Sequence, residues 1–146
     1  MSENSDQAGS EKLDFWIKEN LNAAVKKVME KDLINSPAIE AKPAWVLPFQ
    51  ILVGKVRGAE NQGEFIWFIC GEVPTDYIES SVAKTPREAA RHFTMKWQLT
   101  ASKYQGENTT DNPTQLKHDD VVNHLIEQAQ ALYEVVEDER LWPTKS

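Results

Sequence analysis

Phe49-Gln50-Ile51-Leu52-Val53-Gly54-Lys55-Val56-Arg57 and, after a polar break, Glu64-Phe65-Ile66-Trp67-Phe68-Ile69-Cys70 decide the fold. In the first stretch Phe49, Ile51 and Val53 alternate with Gln50, Leu52, Gly54 and Val56, the period of two that marks a strand. In the second, Phe65, Trp67 and Ile69 point one way and Ile66, Phe68 and Cys70 the other. Both faces of that strand are apolar, so it is expected to be covered on both sides and to lie inside its sheet. The polar run Gly58 to Gly63 joins the two into an antiparallel hairpin. Gly54, a glycine inside a strand, marks a bulge or a close approach of backbone.

Working outward, Glu11 to about Lys31 reads as a helix with Ser10 as its cap. Leu13, Trp16, Ile17, Leu21, Ala24, Val25 and Val28 form one stripe at spacings of three and four, and Lys18, Glu19, Asn22, Lys26 and Lys27 fall on the wet side. Residues 1–10 offer nothing to bury and are expected to be a disordered tail. The helix should stop at Asn35-Ser36-Pro37. Ala38 to Pro48 reads as a connector, extended at Trp45, Val46 and Leu47 because residues before proline avoid the helical region. Tyr77 to Val82 has room for a short third strand. Thr85-Pro86-Arg87-Glu88 is a helix start, with Thr85 as cap, Pro86 at the first helical position and Glu88 closing a capping box. This helix is expected to run to about Tyr104 with Ala89, Ala90, Phe93, Trp97, Thr100, Ala101 and Tyr104 on its buried side. A loop from Gly106 to Pro113 leads to a last helix, Lys117 to Arg140, with a seam of Val122, Leu125, Ala129, Leu132 and Val136. Val121, Ile126, Tyr133 and Val135 widen that seam into a bundle face. Strands and helices come in runs rather than alternating, which excludes a doubly wound sheet. The expectation is a single α+β domain over 11–146: an N-terminal helix, an antiparallel hairpin of two or three strands, then two helices packed on the sheet.

Composition narrows the function. The chain has 146 residues, enough for one domain with a core of its own. Sixteen Lys and Arg against 23 Asp and Glu leave a net charge of −7. So acidic a chain is a poor general binder of nucleic acid, whose affinity rests on neutralising phosphates. One cysteine, Cys70, makes neither an internal disulfide nor a multi-cysteine zinc site. The polar N-terminus lacks a secretory signal, and the longest apolar run, Phe65 to Cys70, falls far short of a membrane span. A soluble cytoplasmic protein follows, with no membrane partner. His118 and His124 lie six apart, roughly 240° around a helix, and His92 is on another helix, a spacing unlike a zinc pair. No nucleophile elbow, H-E-x-x-H, Walker loop or dinucleotide fingerprint is present, so neither a metal nor a cofactor is expected.

The remaining candidates are local. Glu72, Asp76 and Glu79 are carboxylates close in sequence, a type that can divide acid and base roles and that also occurs in ordinary loops. Cys70 ends an apolar strand and reads as a small buried hydrophobe. Between Lys84 and Lys103 five cations, Lys84, Arg87, Arg91, Lys96 and Lys103, meet one acid, Glu88. Between Lys117 and Arg140 seven acids meet two cations. The two segments can complement each other within the chain, or Arg87 and Arg91, four apart on one face, can hold an anion in their planar forks. Of five tryptophans, Trp45, Trp67 and Trp97 fall on core positions, whereas Trp142 either folds back or stands as a contact.

Gly71-Glu72-Val73-Pro74-Thr75-Asp76-Tyr77-Ile78, Thr85-Pro86-Arg87-Glu88-Ala89, Arg91-His92-Phe93 and Trp97-Gln98-Leu99 together resemble a small family of uncharacterised bacterial proteins of similar length, classed as a domain of unknown function. The resemblance implies a bacterial, stand-alone cytoplasmic protein and carries no activity, cofactor or site residue with it.

Two functional readings follow. The first is a non-enzymatic interaction or regulatory module, homodimeric or bound to another protein. It rests on the missing catalytic motifs, the strand apolar on both faces and the heptad-like last helix. Its contact region is the Pro74–Ile78 loop, through Thr75, Asp76 and Tyr77, with Arg87 and Arg91 beside it. The second is a small-molecule binding protein or enzyme in which Asp76, Tyr77 and His92 line a pocket and Arg87 or Arg91 holds a small anionic ligand. Local turn bonding at Thr75 and Asp76, with Tyr77 packed inward, is the purely structural account of the same loop.

Overall fold

The computed structural model describes residues 2–30, 38–58, 65–106 and 113–143. In chain order these form helix α1 (Ser2–Glu30), strands β1 (Ala38–Leu47), β2 (Ile51–Gly58), β3 (Ile66–Gly71) and β4 (Asp76–Glu79), a 3-10 turn at Ser80–Val82, helices α2 (Pro86–Gly106) and α3 (Pro113–Glu137), and a second 3-10 turn at Glu139–Leu141. The class is α+β, as the run of elements requires. Contacts divide the chain into two compact units, Met1–Pro86 and Arg87–Ser146.

The first unit is α1 and a four-stranded antiparallel sheet in the order β1-β2-β3-β4. The expected hairpin is β2 with β3, and β3 is an interior strand, as its two apolar faces demand. The sheet has four strands rather than two or three because Ala38–Leu47, read as a connector, is β1. Its prolines misled the reading, for Pro43 is tolerated on an edge strand. The strand slips register between Pro43 and Trp45, directly opposite Gly54. A Cβ at Gly54 would lie 2.5 Å from Phe68 Cζ and 2.7 Å from the Lys42 carbonyl oxygen, so the glycine marks a close approach. β4 begins one residue before the expected strand and ends at Glu79, where Ser80–Val82 coils instead.

One face of the sheet buries Leu52, Val56, Phe68, Cys70 and Tyr77 with Ala24 and Val28 of α1, and Trp16, Ile17, Leu21 and Val25 pack against them. This is the apolar stripe read from the helix sequence, and its polar residues are exposed. The residues that alternate with these on the other face, Ile51, Val53, Trp67 and Ile69, are buried as well. Burial of side chains this large is worth roughly 1.5–3 kcal/mol each. Helix α1 runs through residues 2–10 instead of beginning after a disordered tail, so Ser10 lies inside it rather than capping it. No proline interrupts those residues, and Gly9 and Ser10 are exposed.

Pro48 and Phe49 turn β1 into β2, closed by the Gln50 N–H donating to the Leu47 carbonyl at 2.9 Å. Phe49 holds φ at +62°, where glycine or asparagine is usual. Gly71, at φ +113°, lets β3 leave the sheet: the Glu72 N–H donates to Gln50 O at 2.7 Å, and a Cβ on Gly71 would lie 2.4 Å from that oxygen.

Helix α2 starts at Pro86, as the capping signature predicts, and from Arg87 onward it belongs to the second unit. Ala89, Ala90, Phe93, Trp97 and Ala101 are buried on α2, and Val122, Ala129, Leu132 and Val136 on α3. The central stripes are therefore the inner ones, but Tyr104 on α2 is exposed. Of the residues expected to widen the α3 seam into a bundle face, Val121, Ile126 and Tyr133 are exposed and Val135 is half-buried, so the seam is narrower than its apolar composition predicts. Trp142 is buried and its indole N–H donates to Val135 O at 3.0 Å, so it folds back on the end of α3. The helix stop at Asn35-Ser36-Pro37 and the loops over 59–64 and 107–112 lie outside the described residues.

Candidate functional site

Thr75, Asp76 and Tyr77 belong to the first unit and Arg87, Arg91 and His92 to the second. Asp76 opens β4, and its Oδ1 accepts from the Tyr77 backbone N–H at 2.8 Å. Tyr77 points into the core and donates its hydroxyl to the Ala24 carbonyl of α1 at 2.9 Å. Beside it, the Cys70 thiol donates to the Asn20 carbonyl one helical turn earlier at 3.8 Å. Burial pushes both groups up to about 12, with the negative charges of Cys70, Asp76 and Glu30 adding to the effect on Tyr77. A thiol so far from thiolate is no nucleophile at neutral pH. Both groups fasten α1 to the sheet.

Arg87, at the start of α2, donates through Nε to the Val136 carbonyl at 2.9 Å. Arg91 places a guanidinium nitrogen 3.9 Å from Glu137. A cation on the last carbonyls of a helix is favourable because the helix dipole ends there negatively. The basic start of α2 thus complements the acidic end of α3, the intramolecular arrangement weighed from the charge pattern. His92 is half-buried on α2. Asp138 caps the closing turn by accepting from the Arg140 N–H at 3.1 Å, and its other oxygen meets the Arg140 guanidinium at 2.9 Å. That exposed pair holds the Asp138 carboxyl below its usual range. Among the described residues no three of His, Cys, Asp and Glu gather as a metal ion requires. No described helix is long and apolar enough to cross a membrane.

A cluster that the sequence reading missed lies at one end of the sheet. Register places Lys42 opposite Lys55, and Glu40 opposite Arg57. Lys42 Nζ stands 4.9 Å from the centre of the Phe65 ring, Arg57 Cζ 5.5 Å and Lys55 Nζ 5.9 Å. Lys55 Nζ also lies 4.5 Å over Trp67, whose indole N–H donates to Ala83 O at 3.0 Å. Three cations thus converge on one aromatic ring, within the range at which a ring face attracts charge. Among the described residues Glu40 is the acid that meets them, 3.0 Å from Arg57 Nε and 3.8 Å from Lys42 Nζ. Like charges directly opposite on paired strands cost stability, on the order of 0.2–1 kcal/mol, so the pairing of Lys42 with Lys55 opposes the fold. The signal was partly present: Lys55 and Arg57 continue the face of Ile51 and Val53 as cations. Their neighbour Lys42 was hidden in a stretch read as a connector.

Neither the curated proteins nor the solved structures offer a match. Residues 11–142, nearly the whole of both units, match the family described as "Domain of unknown function (DUF4826)". A match of that extent means the chain belongs to this family.

Proposed function

We propose that the chain is a non-enzymatic interaction or regulatory module of the cytoplasm that works as a homodimer. One observation carries this reading: large apolar side chains stand in water at helical spacing. Met95 and Leu99, four apart on α2, are 49 % and 69 % exposed, and Ile126 and Tyr133, seven apart on α3, are 40 % and 47 % exposed. Single exposed apolar residues are ordinary, but pairs that share a helix face form a contact surface. The groups that a small-molecule site would need support the same reading by being engaged elsewhere. Tyr77 and Cys70 hold α1, Asp76 bonds the Tyr77 N–H, and Arg87 and Arg91 hold the end of α3.

The test is the solution mass of the purified protein by sedimentation, with a thermal-shift screen of small anions on the same sample. The expected result is a dimer whose melting temperature no anion raises. A monomer stabilised by one anion, with the shift lost in Arg87→Ala or Arg91→Ala, overturns the reading and makes the protein an anionic-ligand binder.

A further inference from the structure

We propose that the basic end of the sheet docks the acidic outer face of α3 from a second copy of the chain. The inference rests on the homodimer reading and names its interface. On one side are Lys42, Lys55 and Arg57 around the half-buried Phe65, with the Lys42 side chain 55 % exposed. That cluster already takes a carboxylate, for Glu40 lies against Arg57 and Lys42 and is itself 40 % exposed. A carboxylate from outside would meet the same donors. On the other side, Glu127 and Glu134 are seven residues apart, hence on one face of α3, and both are exposed. Ile126 and Tyr133 stand next to them, also seven apart and also exposed. The α3 face therefore offers two carboxylates beside two apolar side chains, and the sheet end offers three cations around an aromatic ring. The charges are opposite and the apolar parts match, the complementarity that selects partners and fixes register. A two-fold axis makes the contact twice, each copy giving α3 to the other's sheet. It also supplies the opposite charge that the Lys42–Lys55 pairing calls for.

Reversal of charge on each side separately, followed by mixing, tests this. One variant carries Lys42→Glu with Lys55→Glu, the other Glu127→Lys with Glu134→Lys. Alone, each places like charges across both contacts, and its dimer dissociation constant is expected to rise at least tenfold, read by sedimentation. Mixed in equal amounts, the two restore opposite charges in both contacts, and a mixed dimer is expected to return. The milder Lys42→Gln with Lys55→Gln, which removes the charge without reversing it, is expected to weaken the dimer less than the reversal and, on mixing with the Glu127→Lys, Glu134→Lys protein, to regain one of the two contacts only. The exposed Glu127 and Glu134 sit on a helix surface, so their variant reports on the contact even where the sheet variant fails to fold. Wild-type protein that dimerises as tightly as both variants overturns this interface and leaves the homodimer standing. Variants that stay monomeric on mixing also overturn it. A wild-type monomer at every concentration overturns the interface and the homodimer reading together.

Discussion

Cys70 and Tyr77 are the most chemically displaced residues described here, and their displacement is structural. Each donates a hydrogen bond to a carbonyl of α1, and burial holds both protonated to about pH 12. The ordinary values are 9.0 for the thiol and 10.0 for the phenol. The folded-state values are raised, so the stabilisation is full below pH 9 and is lost as pH climbs from there through 12, while the unfolded chain ionises first. The urea midpoint is therefore expected to be insensitive to these two groups at neutral pH and to fall from about pH 9 upward. In Cys70→Ala the fall should begin nearer pH 10, where the unfolded tyrosine takes over. A midpoint that holds level to pH 12 would show that neither group is buried as described. That Cys70 packs as a hydrophobe was legible from its place at the end of an apolar strand. That Tyr77 reaches α1 was not, since Ala24 lies 53 residues away in the chain.

At the scale of elements, local signals were read well wherever the chemistry was local. Pro86 opens α2 because a proline at that position loses no helical hydrogen bond. The stripe from Trp16 to Val28 packs inward because its spacing matches the helical turn. The reading failed at β1, whose strand character comes from pairing with β2 and not from its own residues, three of which are proline or precede one. Glycines mark where elements meet closely, and they give a prediction with opposite signs. Gly71→Ala should lower stability by about 1–3 kcal/mol, because φ +113° and the Gln50 carbonyl leave no place for a Cβ. Gly9→Ala should raise stability by up to about 1 kcal/mol, because that site is helical and nothing lies within 4 Å. Urea unfolding of the two variants checks both, and equal shifts would contradict the strand geometry around Gln50.

For the whole molecule, charge is the organising quantity. A net charge of −7 coexists with two basic concentrations, at the start of α2 and at the end of the sheet. The first is met by the end of α3. The second carries the proposed interface, and that gives the dimer a salt dependence. In about 1 M salt the Debye length shrinks to roughly 3 Å, and attraction between exposed charges is screened. The sedimentation mass is therefore expected to fall toward the monomer as salt rises from low to about 1 M. A dimer that tightens with salt would mean an interface dominated by apolar contact, such as Met95 and Leu99 on α2.

By itself the sequence determined the class, α+β, the order of helix, hairpin and two helices, the inward stripe of α1, the central seams of α2 and α3, and the interior position of the Ile66–Gly71 strand. All of these follow from short-range periodicity, capping and turn chemistry, which neighbouring residues set among themselves. Only the tertiary structure decided that Ala38–Leu47 is a strand, that Lys42 faces Lys55, and that Arg87 is bound to Val136. Strand pairing and side-chain to backbone bonds of this kind join residues 13 to 49 positions apart. Their free energy depends on register and burial, which no local pattern specifies.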